Sequence, residues 1–342
     1  MDTIELKTEG GSSKIIIGGH LEDVWDLIPN RKVVVITDST VNRLYGNAFS
    51  RAIVIEVEPG EQSKTVEKAN QIYDQLLNHE IDRKDFILGI GGGVVCDLSG
   101  FIASTYLRGI SFGFVATTML AQVDASIGGK NGVNFKGYKN IIGVIRQPQF
   151  VLCDLKLLKT LEKIEYIGGL SEVIKYGAIM DRELFDYFED NVTEILSQDT
   201  EILKKLVFNC VRNKTIVVEK DENETGERMK LNFGHTFAHA LEKITGLSHG
   251  EAVGIGMNVA ARISEKLGFL SKENTDRLRN IIQKIGLPVS LEIKMDLVYE
   301  VIRKDKKKSG DEIGLILLND LGDSFTHYIE LDELKNIMND LH

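Results

Sequence analysis

Three of the seven histidines fall in LNFGHTFAHALEKITGLSHGE, residues 231–251: His235, His239 and His249. Imidazoles gathered among glycines, with carboxylates nearby, are a zinc-type donor set, and three protein ligands would leave a fourth position open for catalysis. Helix geometry favours His235 and His239, four residues apart on one face. The adjoining NETGERMKLN adds Arg228 and Asn232. Upstream, YIGGLSEVIKYGAIMD (166–181) holds Glu172 and Lys175 inside an apolar helical run, a costly setting unless they are paired or liganded. Taken alone, that spacing reads more simply as an i,i+3 pair on the surface of an amphipathic helix.

Two glycine-rich stretches suit anions. GIGGGVVCD (89–97) follows a strand-like run and opens a helical one, so backbone N–H groups and a helix N-terminus could meet phosphate oxygens. It is not GxGxxG, and a tight strand-to-helix turn explains it equally well. QVDASIGGKNGVNFKGYKNIIG (122–143) sets Asp124, Lys130, Lys139 and Asn140 among small residues, where lysines held by glycine turns could take phosphate or carboxylate. The basic run IRKDKKKSGDE (302–312) reads by itself as a solvated loop.

The elements that must position these residues follow from periodicity. KVVVITD (32–38), AIVIEVE (52–58), DFILGIGGG (85–93) and GFVATT (113–118) are strand-like; 63–81 and 94–107 have helical spacing. Such alternation predicts a parallel sheet with helical crossovers. Beyond about residue 155, helical periodicities dominate at 161–190, 192–218, 231–245, 250–267 and 272–285, and a strand pair at 314–320 and 324–330 precedes a final helix over 331–341. The expectation is a Rossmann-like α/β domain over 1–155 followed by a mostly α-helical domain over 156–342, with ligands at the carboxyl ends of the strands and in the cleft between the domains.

The composition limits the function classes. The chain has 342 residues, 43% of them apolar and 27% charged, and a net charge of −10. An acidic chain argues against nucleic acid as a partner, and no apolar run approaches the roughly 18 residues that span a bilayer. Cys96, Cys153 and Cys210 are too far apart for a zinc ribbon or a disulfide framework. Asp2 and Glu5 stand where a secretory signal would be basic and then apolar, so the expected location is cytoplasmic, with no membrane partner.

Read together, PGEQSK (59–64), GGGVVCDLSGF, TYLRG, TTMLAQVDASIGGKNGVN, KNIIG, QPQFVLCD, LKTL, GLSEVIKYG, LNFGHTFAHALE and HGEAV resemble the 3-dehydroquinate synthase family of sugar-phosphate cyclases, in order and spacing over roughly residues 30 to 310. Cys96 stands where Gly is usual in that family, and Ala116 where Pro is common. The resemblance implies an NAD- and divalent-metal-dependent (Zn2+ or Co2+) lyase of the shikimate pathway, a homodimer in this family. Its small-molecule substrate would be the sugar phosphate 3-deoxy-D-arabino-heptulosonate 7-phosphate, converted to 3-dehydroquinate and phosphate.

Carried onto this chain, the metal ligands would be Glu172, His235 and His249. NAD would be held by Asp38, Glu61, Lys64, Gly92, Gly93, Val94, Asp97, Thr117, Thr118, Lys139 and Thr160. Substrate would meet Arg108, Asp124, Lys130, Asn140, Lys175, Lys214, Arg228, Asn232, His239 and a lysine at 306 or 307 (Lys306, Lys307). Of these, Lys130, Lys175, Lys214, Arg228, Asn232 and His239 are the candidates for catalysis, with His239 as the proton shuttle. The alternatives are a cyclase making 2-deoxy-scyllo-inosose or a valiolone, a metal-dependent polyol dehydrogenase, and a non-enzymatic phosphosugar-binding regulator.

Overall fold

The computed structural model describes residues 1–340 apart from 29, 294 and 307–311. Lys307 therefore lies outside the described residues, and Lys306 is the last residue of a helix, Met295–Lys306. The chain forms two compact units: residues 1–162 together with 203–223, and residues 163–202 together with 224–342.

The first unit is an α/β layer. Strands β1 (Asp2–Thr8), β2 (Gly11–Ile17), β3 (Val33–Asp38), β4 (Ile53–Val57), β5 (Phe86–Gly91) and β6 (Ser111–Ala116) are followed by β7 (Lys130–Phe135), β8 (Tyr138–Ile145) and β9 (Phe150–Cys153). Seven of them make one sheet in the order β1-β2-β9-β6-β5-β3-β4, parallel except for the β1–β2 hairpin at its edge. Its central strands are apolar on both faces: every residue of β5 and of Val33–Thr37 is buried. Helices cover both faces of such a sheet, which is why these strands read as continuous apolar runs rather than as alternation. One core cluster stacks Val35, Leu88, Ile90, Val115 and Leu152 with Phe86, whose ring lies 5.9 Å from that of Phe150.

Strand order fixes where this unit meets a ligand. From β3 the chain crosses to β4 on one side and then returns to β5 on the other, so the order reverses between β3 and β5. The carboxyl ends at such a reversal are splayed, and crevices form there. Asp38 ends β3, and Gly91 to Gly93 end β5 and open the helix Gly93–Thr105.

β7 and β8 form a separate antiparallel ribbon, docked beside the Pro59–Lys64 turn through Asn134 N–H donating to Lys64 O at 2.8 Å. The stretch read from the sequence as lysines held in glycine turns is thus partly strand. Lys130 begins β7, and Lys139 and Asn140 lie in β8, where Asn140 has a left-handed φ of 54°.

The second unit is mostly helical. The 161–190 periodicity resolves into Lys163–Met180 and Arg182–Asp190, because Asp181 stops the first helix and caps the second, its Oδ1 accepting Leu184 N–H at 3.0 Å. The 192–218 periodicity likewise resolves into Val192–Leu196 and Thr200–Lys220; Asp199 Oδ1 accepts Glu201 and Ile202 N–H, each at 3.0 Å. Most of that second helix belongs to the first unit. Helices His235–Thr245, His249–Lys266 and Lys272–Lys284, a hairpin of β10 (Glu312–Asp320) and β11 (Asp323–Glu330), and the helix Leu331–Asn339 complete the unit with Met295–Lys306.

Candidate metal and ligand sites

Three helices of the second unit bring the metal-type donors together. The helix His249–Lys266 packs on Lys163–Met180 and on His235–Thr245, and glycine is what lets it come close. A Cβ on Gly250 would lie 2.8 Å from the Gly168 carbonyl oxygen, and one on Gly256 would strike the Gly234 carbonyl. Gly168 is one turn before Glu172, Gly250 follows His249, and Gly234 precedes His235. Backbone contacts therefore set the distances among all three side chains.

The result is a carboxylate between two imidazoles. Glu172 Oε1 lies 3.4 Å from His235 Nε2 and 3.3 Å from His249 Nε2, while Oε2 pairs with Lys175 Nζ. Among the described residues, Glu172, His235 and His249 form the group whose donor atoms all fall within 4.8 Å of one another. Each imidazole is tied on its far side: His235 Nδ1 to Phe233 O at 3.1 Å, and His249 Nδ1 to Glu242 Oε1 at 2.8 Å. Both partners only accept, so each Nδ1 carries a hydrogen and Nε2 is the nitrogen left to face Glu172. A tetrahedral site with ligand distances of about 2.0–2.1 Å has edges of about 3.3–3.4 Å, which matches the two carboxylate–imidazole separations. The residues present fit a divalent metal.

Electrostatics follow from burial. Glu172 is fully buried, and burial alone would raise its carboxyl pKa; Lys175 and His235, with the hydrogen bonds from both imidazoles, outweigh that and hold it well below the usual range. Burial also works against the charged form of His249, but the Glu172 and Glu242 carboxylates lift it to about 9 in the metal-free chain. Lys175 is 1% exposed, so the reading of Glu172 and Lys175 as a surface pair is wrong. They sit on the packed side of a helix that is buried from Gly169 to Ile179.

His239 stands apart from the donor group. Its ring packs edge-on to His235, with centroids 5.6 Å apart, and lines a cavity of about 280 Å³ with Asn232, His235, Thr236, Ile302 and Ile316. Asn232 Nδ2 donates to Glu224 Oε1 at 2.9 Å, and Arg228 is 2% exposed in the 3-10 turn Glu227–Asn232.

The first unit gathers the rest. Lys214 Nζ donates to Asp124 Oδ1 at 2.5 Å and to Asp124 O at 2.7 Å, and is nearly buried. Lys64 pairs with Asp97 in the first turns of the Gly93–Thr105 helix; burial lifts the Asp97 carboxyl above its usual range although Lys64 opposes it. Gly92 caps that helix, and a Cβ there would lie 2.9 Å from Thr118 Cγ2, so the turn is open only for glycine. Val94, half-buried, follows in the first turn, and Thr117 N–H donates to Gly91 O at 3.0 Å. Asp38 Oδ1 caps the Ser39–Tyr45 helix, accepting Thr40 and Val41 N–H at 2.9 and 3.0 Å. Glu61 accepts from Asn134 Nδ2 at 2.7 Å, and Thr160 meets Tyr45 OH at 2.5 Å. Arg108, with a left-handed φ of 64°, is exposed in the Tyr106–Arg108 turn; Lys130 and Lys139 are exposed on the ribbon.

Two side chains escaped the sequence reading. Glu242 closes the motif LNFGHTFAHALE but is seven residues from His249, a separation that no single-helix rule connects. Tyr45 lies in VNRLYGN, outside the glycine-rich and charged stretches singled out, and nothing in its neighbours marks it.

Known proteins resemble this chain at two levels. Family models described as 3-dehydroquinate synthase N-terminal and 3-dehydroquinate synthase C-terminal match residues 54–168 and 169–308. A 3-dehydroquinate synthase of Geobacter metallireducens is 42% identical over 85% of this chain and 84% of its own, and one of Clostridium acetobutylicum is 40% identical over 97% and 98%. Among solved structures, 2-deoxy-scyllo-inosose synthase complexed with carbaglucose-6-phosphate, NAD+ and Co2+ superposes with a TM-score of 0.89 at 23% identity, covering 99% of this chain and 100% of that one. The 2-epi-5-epi-valiolone synthase of Streptomyces hygroscopicus with NAD+ and Zn2+ gives 0.88 at 24%, covering 100% and 98%. The cyclases share the fold, and sequence identity decides within it: the chain belongs to the 3-dehydroquinate synthase family.

Proposed function

We propose that the protein converts 3-deoxy-D-arabino-heptulosonate 7-phosphate into 3-dehydroquinate and phosphate, with NAD and a divalent metal as cofactors. The observation that carries the reading is Glu172, buried between two imidazoles whose outer nitrogens are already tied. When bound, NAD takes up and returns a hydride, and the metal draws electron density from the hydroxyl being oxidised.

The chain's own residues bind, orient and shield. Asp38, Glu61, Lys64, Gly92, Gly93, Val94, Asp97, Thr117, Thr118, Lys139 and Thr160 hold the dinucleotide around the β3–β5 reversal, with the Gly92 turn giving the pyrophosphate room. Glu172, His235 and His249 hold the metal. A phosphate and a carboxylate on one substrate need several cations, and Arg108, Lys130, Lys175, Lys214, Arg228 and the lysine at 306 or 307 supply them in an otherwise acidic chain. Asp124 holds Lys214 in place; Asn140 and Asn232 bond substrate hydroxyls. His239 moves protons on those hydroxyls, a task suited to an imidazole beside the ligand set but outside it. Holding the substrate phosphate near the proton it removes requires positioning rather than a dedicated base.

Zinc or cobalt as the metal, a homodimeric assembly and a cytoplasmic location belong to the same proposal. The cobalt and zinc in the two cyclase structures support the metal. No helix among the described residues is long and apolar enough to cross a membrane.

The test is a coupled assay with the heptulosonate phosphate, catalytic NAD and Zn2+, following phosphate and dehydroquinate together. Equal yields of both, with NAD unconsumed, are expected. No phosphate release, or release that consumes NAD one for one, would overturn the proposal.

A further inference from the structure

The two imidazoles of the donor group are held differently. His235 finds its acceptor two residues away, at the Phe233 carbonyl, as part of the turn that starts its own helix. His249 takes its acceptor from the preceding helix. It is the first residue of His249–Lys266, behind the Ser248 cap, whose side chain and that of Glu251 close a capping box. Its ring is not fixed by those bonds. What meets Nδ1 is Glu242 Oε1, at 2.8 Å, from the last turn of His235–Thr245.

Local backbone makes this meeting possible. Gly246 ends the earlier helix in a left-handed conformation, φ 73°, with its N–H bonded to Glu242 O at 3.1 Å. The chain then turns within Leu247 and Ser248 and starts the next helix. Glu242 has a nearly buried side chain, 9% exposed, so its carboxylate is confined rather than sampling solvent. Without an acceptor at Nδ1, an imidazole can rotate about its χ2 bond or hold its hydrogen on either nitrogen, and half of those tautomers withhold Nε2.

We infer that Glu242 is the positioning residue of the metal centre: its carboxylate holds the His249 hydrogen on Nδ1 and keeps Nε2 turned toward Glu172. The inference rests on the reading of Glu172, His235 and His249 as metal ligands. Its physical content is an asymmetry. The orientation of His235 is written into the main chain and no substitution of one side chain removes it, whereas that of His249 depends on one side chain of another helix.

The test uses the full chain stripped with a chelator and titrated with Zn2+ against a chromophoric competitor, folding being checked by circular dichroism. Glu242→Ala is expected to weaken zinc binding 10- to 100-fold, the usual cost of losing an outer partner of a ligating histidine. Glu242→Gln keeps an oxygen that accepts from Nδ1–H and is expected to lose clearly less. Zinc-edge X-ray absorption of the loaded Glu242→Ala protein should show the imidazole contribution of one histidine weakened. A role confined to packing would be filled by Glu242→Leu, which keeps the bulk and offers no acceptor; here that variant is expected to bind zinc as weakly as Glu242→Ala. Zinc binding by Glu242→Ala equal to that of the native protein, or a Gln variant as weak as Ala, would overturn the inference while leaving the centre intact. A native protein that binds no zinc would remove the centre and the inference with it.

Discussion

His239 and His249 illustrate what spacing can and cannot say about a side chain. Four residues on one helix put His235 and His239 side by side, and their rings do touch, at 5.6 Å. The Gly246 turn lies between His239 and His249, however, and rules built on one helix do not reach across it. Substitutions should separate the roles. His235→Ala and His249→Ala are expected to lose bound zinc, measured by metal content after dialysis. His239→Ala should keep it and lose about 10²- to 10⁴-fold in turnover, as for a displaced acid–base group. Zinc lost from His239→Ala would instead favour the single-helix pair.

Protonation gives a second expectation at the same scale. In the metal-free chain the Glu172 and Glu242 carboxylates lift His249 to about 9 against burial, so near neutral pH the imidazole is protonated and must shed that proton to ligate. The sign follows: lowering the pH opposes binding. Apparent zinc affinity should rise with pH, by up to about tenfold per unit, and level off above about 9. Competition titrations at pH 7, 8 and 9 check this; a flat profile would mean that His249 is already neutral.

Among the elements, the apolar parallel strands were plain in the sequence because each is buried on both faces, and the turn after β5 because three glycines interrupt it. The β7–β8 ribbon was not, since it is irregular in register and largely exposed, with Lys, Asn, Tyr and Gly in place of an alternating pattern. The helix Met295–Lys306 was missed for a related reason: its amphipathic stretch runs straight into the basic segment and lacks a marked stop. The helices around the donor group were visible, but their closeness was not, because it depends on which glycines face each other. Gly250→Ala tests that closeness. Its methyl would meet the Gly168 backbone rather than a movable side chain. Overpacking of this kind costs about 1–3 kcal/mol, and here it should also lower zinc affinity by spreading Glu172 from His249. Denaturant unfolding and zinc titration on the same variant measure both, and a variant of native stability and affinity would show that the helices part without cost.

At the scale of the whole molecule, acidic composition argued against nucleic acid as a partner but could not locate the cations. Lys64, Lys175, Lys214 and Arg228 are all nearly buried, which composition cannot register. The same holds for the path of the chain. Periodicity marks a helical stretch over 192–218 but not that residues 203–223 pack with the first 162.

That path has a consequence for how the protein can be divided. The chain leaves the first unit after Glu162, returns at Leu203 and leaves again after Asn223. A fragment ending at 162 would lack the segment whose buried Leu206, Val207, Cys210 and Val211 complete its packing, together with Lys214. The remainder would carry those apolar residues as an exposed stripe. Expressed separately, residues 1–162 and 163–342 are each expected to be insoluble, and produced together to reassemble, as sedimentation of the lysates can show. A soluble, monomeric 1–162 fragment would contradict this. Inheritance follows the same logic: recombination that exchanges one unit between relatives must change the chain at three points rather than one.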